Sequence, residues 1–157
     1  MTNPTTVVIL VRHAEVPESG GDNPHLSSEG DERAKELARV LKESGVQDIF
    51  VSDMTRTLET AEPFAKQFIP PLKINKRERG DTLSEKVNNA NALIAEIKGN
   101  HLGRKILIVG HSETIPFIIK GFGGGSINQI KTHDNLFILT VPKGGQTRMI
   151  RLKYGKE

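Results

Sequence analysis

The residues best equipped for chemistry in this chain are two arginines and two histidines, each close behind a short β-branched run. Thr6–Arg12 leads into His13, Asp48–Val51 leads into Ser52-Asp53 with Arg56 one helical turn on, and Lys105–Val109 leads into Gly110-His111-Ser112. A guanidinium has no acceptor atom and repels cations, so this set makes a poor metal site. It suits a phosphoryl group. Arginine forks match phosphate oxygens, and an imidazole with one bare ring nitrogen is a nucleophile for phosphorus. Phosphoryl transfer asks mainly for positioning and charge stabilisation, which these residue types supply.

The elements that must position them follow from periodicity. The three runs read as strands buried on both faces. Ser28-Glu-Gly-Asp31 resembles a capping box before a helix whose apolar face is Ala34, Leu37, Ala38 and Leu41, stopped by Gly45. Met54, Leu58, Ala61, Ala65 and Phe68 mark a second helix, which Pro63 must kink or split. Leu72–Ile74 reads as an edge strand, and Thr82-Leu-Ser-Glu85 as a capping box before Leu83, Val87, Ala90, Ile94 and Ile97. A short helix follows Ser112 with Pro116 in its first turn, then a flexible Gly121–Gly125 loop. Asn135–Val141 and Thr147–Leu152 read as strands joined by a Pro/Gly turn. Strands alternating with helices predict a three-layer α/β sandwich, a mostly parallel sheet with helices on both faces. In such sheets ligands bind beyond the carboxyl ends of the strands, which brings the four candidates to one rim.

Composition narrows the classes. A chain of 157 residues fits one domain, 1–157, with a core that needs no staples. The absence of cysteine excludes disulfides, thiolate zinc sites, iron–sulfur clusters and a cysteine nucleophile. The longest apolar stretch, Val7–Val11, is far short of the ~20 residues of a membrane span. Met1-Thr-Asn-Pro lacks the regions of a signal peptide, so the expected location is the cytoplasm. The net charge of +3 is concentrated in two places. One is the C-terminal stretch with Lys143, Arg148, Arg151, Lys153 and Lys156, read as a solvated strand edge. The other is Lys73, Lys76, Arg77 and Arg79, a cluster able to attract an anionic substrate. Aromatics are only 4% and Trp is absent, which argues against a nucleic-acid face.

Several segments also resemble a known family. Val11-Arg-His-Ala-Glu15 is similar to the RHG signature of the histidine phosphatase superfamily, the phosphoglycerate-mutase-like proteins. Asp22-Asn-Pro-His-Leu-Ser27 with Gly30 resembles that family's D-x-P-L-[ST]-x-x-G segment, with one extra residue. Val51-Ser-Asp-Met-Thr-Arg56 with Thr60-Ala61 resembles S-[DS]-x-x-R-x-x-x-T-A, and Val109-Gly-His111 resembles the second-histidine strand end. The resemblance implies a phosphoglycerate-mutase-like fold and no metal or organic cofactor. It implies that His13 is transiently phosphorylated while Arg12, Arg56, His111 and Ser112 hold the phosphate. Ala14 stands where the family has glycine, and Ser112 where it often has glycine. The loop that normally carries the proton-donating glutamate is reduced to Asn75–Asp81, leaving Glu78 as the positional candidate and Glu15 as the alternative.

The short chain resembles the small phosphohistidine-phosphatase type more than the mutases, whose long insertions it lacks. The expected partner is a phosphorylated small molecule or a phosphohistidine protein. Imidazole departs as a near-neutral base, so a reduced acid loop fits a phosphoramidate substrate. A phosphoglycerate-type mutase and a non-catalytic phospho-ligand or protein-binding module of the same fold are the alternatives. Thr60, Ser52 and Asp53 read as capping and supporting residues, His101 as an exposed loop residue and His133 as a candidate rim residue. Gly121-Phe-Gly-Gly-Gly125 follows a helix and has no closing Lys-Ser/Thr, so it is not a nucleotide-binding loop.

Overall fold

Buried strands of a parallel sheet need apolar residues on both faces, and the three apolar runs form the middle of such a sheet. The computed structural model describes residues 3–157. In chain order the elements are β1 (Thr5–Arg12), α1 (Ser28–Leu41), β2 (Asp48–Ser52), α2 (Thr55–Ala65), β3 (Ile74–Arg77), α3 (Leu83–Asn100), β4 (Lys105–Gly110), α4 (Thr114–Gly121), β5 (Asn135–Pro142) and β6 (Arg148–Lys153). The sheet order is β3-β2-β4-β1-β5-β6. β3, β2, β4 and β1 run parallel, and β5 and β6 extend the sheet antiparallel.

Alternate strand residues enter opposite layers. Ile9, Val11, Ile49, Val51, Leu107 and Val109 pack with Leu37, Ala38 and Leu41 of α1 and Ala61, Phe64 and Ala65 of α2. Val8, Leu10, Phe50, Ile106 and Ile108 pack with Ala90, Ile94 and Ile97 of α3 and Ile115, Ile118 and Ile119 of α4. The result is the three-layer α/β sandwich with helices on both faces. Among the described residues no helix is long and apolar enough to cross a membrane.

Local details depart from the sequence reading for identifiable reasons. The cap of α1 is Ser27, whose extended backbone lets its hydroxyl accept from the Gly30 amide, so Ser28 is already helical. α2 is one helix, and Pro63 lies within it. The chain stays helical for two residues past the proline because Phe64 and Ala65 are buried against the sheet. The edge strand is Ile74–Arg77 rather than Leu72–Ile74, paired with β2 from Ile49↔Ile74 to Ser52↔Arg77. Its polar sequence conceals a strand because one side of an edge faces solvent. His101 is not a free loop residue: it caps the end of α3, its Nδ1 lies 3.0 Å from Asp48 Oδ2, and its ring stands edge-on to Phe50. Gly121 belongs to α4 rather than to the loop after it. The capping box of Thr82 and Glu85 is formed at the start of α3.

Candidate active site

Strand register determines which loops meet. β1 and β4 are neighbours with Arg12 opposite Gly110, so the next residues, His13 and His111, emerge side by side. The His13 amide donates to the Gly110 carbonyl at 2.9 Å, and the two imidazoles lie 5.4 Å apart between centroids. β2 is the other neighbour of β4, and Ser52 at its end places its hydroxyl 2.7 Å from His111 Nε2. Arg56 sits in the first turn of α2, immediately beyond. The structure therefore brings Arg12, His13, Arg56 and His111 together at one rim.

The His13 ring is held in one tautomer. Its Nδ1 is 2.7 Å from the Ala14 carbonyl, which can only accept, so Nδ1 carries the proton and Nε2 is left bare. Burial pushes the His13 pKa down to about 3, with Arg12, Arg56 and His133 adding repulsion against the bond that favours protonation. Burial likewise pushes His111 down to about 2, helped by His13, Arg56, Arg79 and Lys86. Both rings are neutral at ordinary pH. The loop beneath is fixed by Thr60, a fully buried hydroxyl that accepts from the Ala14 amide at 2.9 Å and donates to the Arg56 carbonyl at 2.7 Å.

The guanidiniums are poised but not neutralised. Among the described residues neither Arg12 nor Arg56 forms an ion pair with a carboxylate. Arg12 Nη1 donates to the Lys131 carbonyl at 3.2 Å, and its buried Nε has no hydrogen-bond partner among the described residues. Burial lowers the proton affinity of both arginines, and Arg56 is further opposed by Arg79 and Arg12. Desolvated cations with donors to spare call for an anion. The described residues contain no group of three or more His, Asp or Glu arranged to hold a metal ion.

The remaining candidates separate. Glu78 is exposed and lines a narrow cleft with Ser52, Arg79, Lys86 and His111. Glu15 turns the other way. Arg33 Nε donates to both of its carboxylate oxygens at 2.8 and 2.9 Å, with Nη2 at 2.7 Å. Burial works to raise the Glu15 pKa, but the bonds and charge of Arg33 outweigh it and hold the carboxyl below its ordinary value. The Ser112 hydroxyl accepts a long 3.5 Å bond from Gln129, pointing toward that loop.

Two further contributors carried only weak signals in the sequence, and the reading of His133 as a rim residue agrees with its position. His133 Nδ1 donates to the His13 carbonyl at 2.7 Å, with its ring 5.4 Å from that of His13. Its signal was topological: β5 is antiparallel to β1, so the residues before Asn135 arrive at the same rim. Arg79 was visible only as one member of a basic cluster. Its amide donates to Asp53 Oδ1 at 3.1 Å, and this bond draws the loop after β3 over the end of β2.

An open α/β sheet whose strand ends converge on two arginines and two histidines presents a rim suited to an anionic group, and known proteins share both the fold and part of the sequence. Residues 8–79 match the family model described as histidine phosphatase superfamily (branch 1). The alpha-ribazole phosphatase of Shigella flexneri has a similar fold, with a TM-score of 0.75 and 16% identity over 96% of this chain and 99% of that one. The protein histidine phosphatase SixA, solved with tungstate, gives a TM-score of 0.74 and 15% identity over 94% and 96% of the two chains. A phosphoserine phosphatase of Entamoeba histolytica, solved with 3-phosphoglyceric acid, gives 0.64 and 18% over 97% and 98%. No curated protein matches the chain significantly in sequence. Over residues 8–79 the chain thus resembles the histidine phosphatase superfamily, and it shares its fold with the phosphatases named here.

Proposed function

We propose that this single domain is a metal-independent phosphatase that works through a phosphohistidine on His13. The observation that carries the reading is the bare Nε2 of a neutral His13 set between two guanidiniums that lack carboxylate partners. The structures of similar fold are named for different phosphorylated substrates, so the leaving group is argued from chemistry alone. The substrate is a phosphomonoester, which releases an alcohol, or a protein phosphohistidine, which releases an imidazole.

The steps balance as follows. His13 Nε2 attacks phosphorus and forms a P–N bond while the bond to the leaving oxygen or nitrogen breaks with its electron pair. Arg12, Arg56 and His111 hold the equatorial oxygens, where charge spreads in the transition state. Ser112 is the peripheral member, since its hydroxyl must turn from Gln129 to reach the phosphoryl group. Glu78 gives its proton to an alkoxide leaving group. Water then attacks the phosphohistidine, its proton passes to Glu78, the P–N bond breaks with its pair returning to Nε2, and orthophosphate departs. Glu15 is a poor alternative acid because Arg33 keeps it ionised.

Rapid acid-free quenching with a labelled aryl phosphate tests this reading. An acid-labile, alkali-stable phosphoenzyme is expected in the wild type and absent in His13→Ala, whose turnover should fall by at least about 10⁴-fold, as when other covalent nucleophiles are removed. A phosphoenzyme that persists in His13→Ala would place the nucleophile elsewhere. Absence of any phosphate release from the wild type would remove the hydrolase reading.

A further inference from the structure

The cleft beside His111 is furnished beyond what a lone phosphoryl group needs. It runs between the ends of β2 and β4 and the helices α3 and α4. Phe50, Leu93 and Ile118 form apolar walls, and Arg79 and Lys86 stand with Ser52 and His111 among the residues that line it. The side chain of Arg79 is 20% exposed and that of Lys86 13%, so both side chains are largely covered by the walls of the cleft.

Neither charge is well compensated. Arg79 Nε donates to the carbonyl of its neighbour Gly80, and among the described residues its only carboxylate contact is a long 3.5 Å approach of Nη2 to Asp81, a side chain 96% exposed. Lys86 uses one of its three donors on Glu113, which is itself half exposed. Arg77, by contrast, is spent: its guanidinium engages both oxygens of Glu96 and lies over the Phe50 ring. A cation in water gains little from another cation nearby, and one drawn out of water needs an anion. The Asp53 bond to the Arg79 amide nevertheless holds this loop toward the site, and the guanidinium is near enough to oppose charge on both Arg56 and His111.

We infer that Arg79, with Lys86 behind it, forms a second anion subsite, so that the preferred substrate carries a carboxylate or similar acid on its leaving group. This rests on the phosphatase reading above and makes it specific. The phosphoryl group sits among Arg12, His13, Arg56 and His111. The leaving group extends past His111 into the cleft, where its apolar part meets Leu93 and its acid meets Arg79. The exposed Glu78 borders the same cleft, beside the bond that breaks.

A matched pair of aryl phosphates tests this without depending on Glu78, since phenolates leave without much protonation. The probes are 3-carboxyphenyl phosphate and 3-carbamoylphenyl phosphate, equal in size and different in charge. Wild type should favour the acid in kcat/KM by about tenfold or more, the scale of one charge-assisted hydrogen bond, and mainly through KM. Arg79→Gln should bring the ratio to about one, whatever it does to both substrates together. Arg79→Lys, which keeps a charge without the fork, should retain part of the preference. No preference in the wild type, or a preference that survives Arg79→Gln, overturns the inference while His13-dependent turnover of either probe upholds the phosphatase. Turnover of neither probe defeats the phosphatase reading first.

Discussion

A histidine that attacks phosphorus must keep a ring nitrogen free of protons, and His13 does so far below neutrality. Its pKa near 3 follows from burial and from the neighbouring charges of Arg12 and Arg56. The profile of kcat/KM reports ionisations of free enzyme and free substrate. A decline between about pH 7 and 5 is therefore expected to follow the second ionisation of the substrate, near about 6 for a phosphate ester. Nitrogen NMR should find His13 as the neutral Nδ1–H tautomer down to about pH 4, given an unperturbed histidine near 6.5. Titration of that ring near its ordinary value would refute the argument. Stability carries the same signature. His13 and His111 take up protons near 6.5 when unfolded but only near 3 and 2 when folded. Their contribution is whole above about pH 6.5 and is lost as the pH falls toward the folded values, by about 1.4 kcal/mol per unit for each ring. Urea titrations should show His111→Asn with a flatter acid slope than the wild type.

At the scale of elements, the site is built by register and by one close approach. The start of α1 presses against the loop that follows β1, where the Ser27 amide donates to the Glu15 carbonyl at 2.9 Å. A side chain at Gly30 would collide with that same carbonyl, which is backbone and cannot swing aside. Gly30→Ala is expected to cost about 1–3 kcal/mol, the usual penalty of overpacking, and to lower kcat by shifting Ala14 and His13. Urea unfolding and turnover measured on one preparation would show both losses together. A change in stability with kcat intact would separate the helix start from the loop that carries His13. The strands that set the rim were legible because β1, β2 and β4 are apolar on both faces and end abruptly in polar residues. The order of Arg12-His13, Arg56 and Gly110-His111 along the chain then sufficed to bring them together. What escaped the sequence has no such pattern. β3 is four mostly polar residues on a sheet edge, so the loop that carries Glu78 and Arg79 had no visible anchor. His133 was read as a rim residue, but its bond to the His13 carbonyl depends on β5 running antiparallel, which apolar periodicity does not encode.

Across the whole molecule, the chain's end is fastened to its beginning through one guanidinium. Arg33 of α1 donates from Nε to Glu15, from Nη1 to the Tyr154 carbonyl at 2.9 Å and from Nη2 to the Lys156 carbonyl at 2.6 Å. The loop after β1, the first helix and the C-terminal segment thus share a single hub, and Tyr154 seals it by packing its ring under the guanidinium at 5.5 Å. The ring is 4% exposed and belongs to the core layer of α1 and α2. Its hydroxyl, however, is buried without a hydrogen-bond partner among the described residues, and burial drives its pKa above the ordinary tyrosine value. A buried hydroxyl left unpaired costs about 1–3 kcal/mol, while the aromatic body contributes its full packing. Tyr154→Phe removes the cost and keeps the ring, its contact with Arg33 and the backbone bonds. The variant is expected to be more stable by about 1 kcal/mol, seen as a higher urea midpoint at unchanged slope. Tyr154→Ala, which empties the same space, should lose about 3–5 kcal/mol. If Tyr154→Phe were instead destabilised, the hydroxyl would have to be bonded to a buried water, and the hub would be polar through to the core.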